Sequence, residues 1–297
     1  MKEKLLLLNK QKELTNLLAR AVKWIKSLLR PRYDGEYLVG LIKDELQEKR
    51  LNETLTNVVI TAFDKKKWKP VIFSSFQLKK NPSLNAKLSD ISIGTSAAPI
   101  FLPSHPFHVN DSEGKLLREY DLIDGGVVAN NPVRTELAIK EVISGGSRDG
   151  CKFFVLSVGT GSQDFQEKYK ATKSSHWGIF GWLFGGAVSI PLLDAASSSS
   201  SYMADYHVST LLQLLGSENT YLRIQDDTLS DDIASMDLGN KENMEKLVKV
   251  GKELLKKPMT RMNPQTGLLE HHPHITNEMA LDWFAELLHE ERRSCMK

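Results

Sequence analysis

Disulfides, a dominant charge of one sign and a long apolar run are all missing from this sequence. The only two cysteines, Cys151 and Cys295, are too few and too far apart for a disulfide framework. Cys151 precedes an apolar strand and reads as a small buried hydrophobe, and both thiols suit a reducing compartment. Lysine and arginine number 39 against 37 acidic residues, a formal charge of +2 that argues for no particular partner. No basic–aromatic array marks a nucleic-acid surface, and there is no P-loop or internal repeat. No secretory leader is evident, because the apolar run Leu5 to Leu8 is cut off by Asn9-Lys10-Gln11-Lys12. The expected location is therefore cytoplasmic. The uncharged stretch Trp177 to Leu193 has 17 residues with four glycines and one proline, at the lower limit for a membrane span. No Gly/Ser/Pro linker divides the 297 residues, so one large domain is expected.

What is present is organised around Tyr120-Asp121-Leu122-Ile123-Asp124-Gly125-Gly126-Val127-Val128-Ala129-Asn130-Asn131-Pro132. Leu122 and Ile123 read as the end of a buried strand. Gly125 and Gly126 allow backbone angles and close approaches that a Cβ forbids. Asn131 suits a helix N-cap and Pro132 a first helical position, with the helix expected through Glu136, Leu137, Ile139 and Val142 to Gly145-Gly146. Asp124 then lies at the carboxyl end of a strand, where open α/β sheets place functional groups.

Two more stretches accompany it. Asp90 to Pro103 reads as a helix ending in the small residues Gly94-Thr95-Ser96-Ala97-Ala98 and closed by Pro99. Phe153-Phe154-Val155-Leu156-Ser157-Val158-Gly159-Thr160-Gly161 reads as a buried strand entering a Gly-rich turn. In this order the three motifs resemble the patatin-like lipid acyl hydrolases, plant members in particular, over about residues 30 to 290. The resemblance implies an α/β fold: a three-layer α/β/α sandwich with a mainly parallel sheet. It also implies a Ser-Asp dyad without histidine, with Asp124 as the Asp supported by Gly125 and Gly126. The substrate would be a glycerolipid or phospholipid, with peripheral membrane contact, and neither metal nor other cofactor is called for.

The family's Gly-rich oxyanion loop and Gly-x-Ser-x-Gly elbow are not found. Ser96 has Ala98 where the second glycine belongs, and Ser147 in Gly145-Gly146-Ser147-Arg148-Asp149-Gly150 has the wrong spacing. No nucleophile is assigned. The expectation is a domain with an incomplete N-terminal part, inactive by itself. A non-catalytic lipid-binding relative and a truncated gene product are the alternatives.

Elsewhere, residues 14 to 29 have helical periodicity with a basic face, so that residues 1 to 30 read as a basic amphipathic N-terminal helix, 31 to 290 as the partial domain and 291 to 297 as a tail. Tyr37 to Arg50 reads as an amphipathic helix, and Thr56–Phe63 and Pro70–Ser74 as neighbouring strands. Lys65-Lys66-Lys67 is a solvated loop in preference to a phosphate site, and His105 and His108 are polar loop or strand residues in preference to a catalytic base. Trp177 to Leu193 is either a substrate-side or membrane-facing flap or packed core. Ser197 to Ser201 reads as a cap or loose loop before a helix from Met203, and Thr220 to Ile224 as the last strand. Glu242–Leu255 and Asn277–Leu288 read as closing helices. His271, His272 and His274 lack the partners of a metal site.

Overall fold

The computed structural model describes residues 30–133, 153–165, 169–170, 174–184, 190–230, 233–235 and 237–295. They form two compact units, one up to Ala129 and one from Asn130. The basic helix expected over 14 to 29, most of the helix expected after Pro132, and Cys151 lie outside the described residues.

In the first unit, α1 (Glu36–Leu46) and α2 (Leu88–Ser96) accompany the strands β1 (Val59–Asp64), β2 (Lys69–Ser74), β3 (His105–Asn110) and β4 (Leu116–Asp124). The sheet order is β2-β1-β4-β3 and every pairing is antiparallel. The two strands read from Thr56 to Ser74 are thus a hairpin, with Pro70 tolerated because β2 is an edge strand. Between β3 and β4 the Asp111 carboxylate accepts the N–H groups of Glu113 and Lys115, and Gly114 takes a left-handed φ of 82°. β4 alternates: Tyr120 and Leu122 are buried, beside Phe73, Val71, Ala62, Ile91 and Leu51. Phe107 stacks on Tyr120 at 5.0 Å. A mainly parallel sheet is therefore not what these residues build. Short turns join β1 to β2 and β3 to β4, and a short turn can only return the chain antiparallel.

In the second unit, β5 (Val155–Val158) and β6 (Tyr221–Ile224) form a parallel pair, which needs the long crossover between them. Between them lie a short helix, counted after the single turn α3 (Gly126–Ala129) of the first unit as α4 (Ile179–Phe184), and the long α5 (Pro191–Leu214). The serine run 197–201 is inside α5, not in a loop. Asn130 donates its amide to the hydroxyls of Ser197 and Ser201, one turn apart on the same helix face. Ala204, Val208 and Leu212, spaced by four, form the buried stripe.

Nor is β6 the last strand. β7 (Pro258–Asn263) and β8 (Leu268–Thr276) follow it as a hairpin whose turn carries Gly267 at φ 69°. Polar residues and His271, His272 and His274 occupy β8, which hides its strand character from a reading based on apolar alternation. The closing helices are α6 (Lys241–Lys256), capped by Asn240, and α7 (Asn277–Cys295), which runs on through residues expected in the tail. β5 is buried on one face only, with Val158 70% exposed. Among the described residues no helix is long and apolar enough to cross a membrane.

Candidate functional site

Asp124 is the last residue of β4, opposite Ala62 of β1. Its backbone N–H donates to the carbonyl of Ala97, the residue that closes α2, at 3.0 Å. A strand and a helix end therefore fix the same peptide. The small residues read at the end of α2 explain how they come so close. A Cβ on Gly94 would lie 2.7 Å from Leu122 Cδ1, so only glycine lets the helix rest on β4. Thr95 Oγ1 donates to the Thr61 carbonyl of β1 at 2.7 Å. Gly125 meets that same carbonyl: its Cβ would stand 2.0 Å from Thr61 O. The first glycine after Asp124 is thus required by contact with the neighbouring strand.

The Asp124 side chain folds back on its own turn, Oδ1 accepting the Gly126 N–H at 2.7 Å. The Gly125 carbonyl then accepts Val128 and Ala129 N–H groups to start α3. Asp124 is half-buried, and burial holds its carboxyl above the ordinary carboxylate range, opposed by the hydrogen bond from Gly126. Oδ2 makes no hydrogen bond among the described residues, which leaves one carboxylate oxygen with raised proton affinity and no partner there. Such a group can accept a proton from, or orient, a hydroxyl placed against it.

The other titratable candidates are engaged elsewhere. His105 Nε2 lies 2.9 Å from Asp90 Oδ1, tying β3 to α2. His108 stands opposite Glu119 in the β3–β4 register. In the basic cluster, Lys65 pairs with Asp121 at 3.4 Å and Lys66 with Glu119. On β8, His272 Nδ1 accepts the Ile275 N–H at 3.0 Å.

The sequence reading missed a polar network in the second unit. Asn131 Oδ1 accepts the Val133 N–H at 3.3 Å, and most of the helix it was expected to cap lies outside the described residues. The Asn131 amide also donates to Asp205 Oδ1 at 2.9 Å, which takes the Tyr221 hydroxyl at 2.9 Å. Arg223 Nε is 3.1 Å from Asp205 Oδ2, and its NH1 donates to Ser157 Oγ at 2.8 Å. Burial raises the Asp205 carboxyl and outweighs Arg223; burial also raises the Tyr221 hydroxyl, with the Asp205 charge adding to it. A signal was present: in Tyr221-Leu222-Arg223-Ile224 alternate residues are polar, as a face turned to a buried partner requires.

Comparison with known proteins shows the family. A family model described as Patatin-like phospholipase matches residues 2–137, which include Asp124, Gly125 and Gly126. The chain is 48% identical over 284 residues to Patatin-like protein 2 of Arabidopsis thaliana, covering 92% of this chain and 69% of that protein. The chain belongs to the patatin-like phospholipase family. Patatin-like protein 1 of Arabidopsis thaliana is 44% identical over 289 residues, 94% of this chain and 69% of the relative. Patatin-15 of Solanum tuberosum is 38% identical over 277 residues, 90% and 67%. The α/β fold is accordingly that of the patatin family, and this patatin-like chain spans about two thirds of the length of these relatives.

Proposed function

We propose that this chain is the part of a lipid acyl hydrolase that carries the acidic member of a Ser-Asp pair, with Asp124 in that role. The single observation behind the reading is the Asp124 carboxylate itself: fixed at a strand end by two elements, desolvated, and bonded through Oδ1 alone among the described residues. An ordinary aspartate, with a pKa of about 3.9, is a poor base at neutral pH, and desolvation corrects that in the needed direction.

In the proposed reaction a serine hydroxyl attacks the ester carbonyl of a glycerolipid or phospholipid. Its proton passes to, or is steered by, Asp124 Oδ2, while Gly126 N–H holds Oδ1 and fixes the carboxylate plane. As the tetrahedral adduct collapses, the proton taken from serine passes to the leaving alcohol and an acyl-serine remains. Water, losing a proton to the same carboxylate, then attacks it, releasing the fatty acid and returning the proton to serine. Oxyanion stabilisation by backbone N–H groups supplies the largest single contribution to such acyl transfer. None of the serines in this sequence stands in a nucleophile elbow, so the reading assigns the attacking serine and the oxyanion loop to sequence that this chain does not contain.

The chain by itself is then expected to hydrolyse short-chain acyl esters at background rate. A longer product in which a Gly-x-Ser-x-Gly segment precedes these residues is expected to hydrolyse them and to label with a fluorophosphonate. Asp124→Asn in that longer product should lower turnover at least about 100-fold. Full activity of the Asp124→Asn form would end the proposal.

A further inference from the structure

Neither the Asp124 turn nor the Asp205 network uses the cavity between α5 and the β7–β8 hairpin. Its volume is about 210 Å³, enough for a small polar ligand and below the roughly 300–1,000 Å³ of drug-sized pockets. Cross-links hold its walls in place. Tyr206 donates its hydroxyl to the Pro264 carbonyl at 3.1 Å, Tyr202 donates to the Gly267 carbonyl, and Arg261 NH1 donates to Asn219 Oδ1 at 3.2 Å. The floor is apolar, with Leu212 and Met262 buried. Ser209 joins them, and its buried hydroxyl has no hydrogen-bond partner among the described residues. A buried hydroxyl in that state calls for a partner. Three charged side chains line the same cavity: half-buried Arg261, with Glu218 and Glu270 at the exposed rim. None of the three is in an ion pair among the described residues. Arg261 and Glu270 stand directly opposite in the β7–β8 register, where unlike charges ordinarily pair. Here asparagines keep them apart: Asn219 takes Arg261, and Asn263 donates its amide to Glu270 Oε1 at 2.7 Å. Tyr221, also in the lining, gives its hydroxyl to Asp205, whose charge is met by Arg223. Among the described residues the lining therefore carries one unpaired cation and two unpaired anions. An anion alone would meet two carboxylates there, and a cation alone would meet the guanidinium. A ligand of both signs satisfies each charge.

We propose that this cavity is a binding site for a short zwitterion. Its carboxylate or phosphate turns inward to Arg261 and the Ser209 hydroxyl, and its ammonium group stays at the rim with Glu218 and Glu270. The planar fork of an arginine suits either anion. A free amino acid and the headgroup of an ethanolamine phospholipid share this chemistry. The site lies wholly within the second unit and does not rest on the acyl-hydrolase reading.

Isothermal titration of the full 297-residue chain with phosphoethanolamine and with L-serine tests this. Saturable binding of at least one is expected. Phosphoethanolamine taken and serine refused assigns the phospholipid headgroup, the reverse assigns a free amino acid, and binding of both shows that the charge pattern alone is read. Ethanolamine and inorganic phosphate each carry half of that pattern and should bind at least about tenfold more weakly. Arg261→Gln should weaken the zwitterion about tenfold or more, as the loss of hydrogen bonds to a charged group does. Glu270→Gln, at an exposed position that folding does not depend on, should do the same and keeps the test alive if the Arg261 form is unstable. Failure of both zwitterions to bind overturns the proposal. So do single-charge compounds that bind as tightly, and zwitterion binding that the substitutions leave unchanged. Esterase assays of the longer product leave all these outcomes untouched.

Discussion

Replacing Gly125 with alanine places a methyl group 2.0 Å from Thr61 O, 2.6 Å from Thr61 C and 2.7 Å from Thr61 Oγ1. Comfortable non-bonded approaches are about 3.5 Å, so the overlap with the carbonyl exceeds 1 Å by any ordinary standard. Two of the three atoms are backbone of β1, so no rotamer change relieves the clash. Moving the Thr61 peptide also breaks its acceptance of the Thr95 hydroxyl, a loss of about 1 kcal/mol. Overpacking of a tight core costs a further 1–3 kcal/mol, roughly, which brings the expected destabilisation to about 3 kcal/mol. Gly40 is the matched control: it is exposed in the middle of α1, and nothing lies within 4 Å of its Cβ position. There alanine should stabilise by about 0.5–1 kcal/mol, because glycine gives up more backbone freedom in a helix. Urea unfolding at neutral pH, followed through Trp68 where it meets Phe63 edge-on in the β1–β2 hairpin, reads both changes. With a slope of about 1–3 kcal/mol per molar urea, Gly125→Ala should lower the midpoint by roughly 1 M or more. A Gly125→Ala midpoint at or above that of the unaltered chain would show that the close approach to Thr61 is not what demands glycine.

Other perturbations separate function from stability. Burial raises the Asp124 pKa, so the folded state favours the neutral carboxyl, and stability associated with this group is lost as pH rises through the native pKa. Asp124→Asn should therefore raise the melting midpoint at pH 7, and the gain should vanish at pH values well below the ordinary carboxylate pKa of about 3.9, where the carboxyl is neutral in both states. The same change in the longer product should cost at least about 100-fold in ester turnover, measured on a short-chain ester. Asp64 is fully buried and meets Arg118 NH2 at 3.1 Å, so Asp64→Ala should cost about 3–5 kcal/mol in urea unfolding by leaving that guanidinium without its partner. Asn240→Ala removes the cap that accepts the Asn243 N–H at 2.8 Å and should lower the α6-bearing unit by about 1 kcal/mol, read as a shifted thermal midpoint.

The residues themselves determined more about this protein than their bare order suggests. The hairpin from Val59 to Ser74, the helix closed by Ala97-Ala98-Pro99 and the strand ending at Asp124 were all legible, because each depends on neighbours a few positions away. Pro, Gly and Asn act locally, and apolar periodicity reports the face a segment must bury. The family was legible for the same reason, since its motifs are short and occur in order. Where the sequence misled, partners distant in the chain had overridden local preference. Ser197 to Ser201 looked like a loop until the Asn130 amide donated to Ser197 and Ser201 along one helix face. β7 and β8 were missed because a hairpin stabilised by pairing tolerates histidines and polar residues that no alternation rule expects. Gly125 shows the division most plainly. Its conformational licence could be read from the Asp-Gly-Gly turn, but the reason it admits no other residue is the Thr61 carbonyl, 64 positions earlier, which only folding brings within reach.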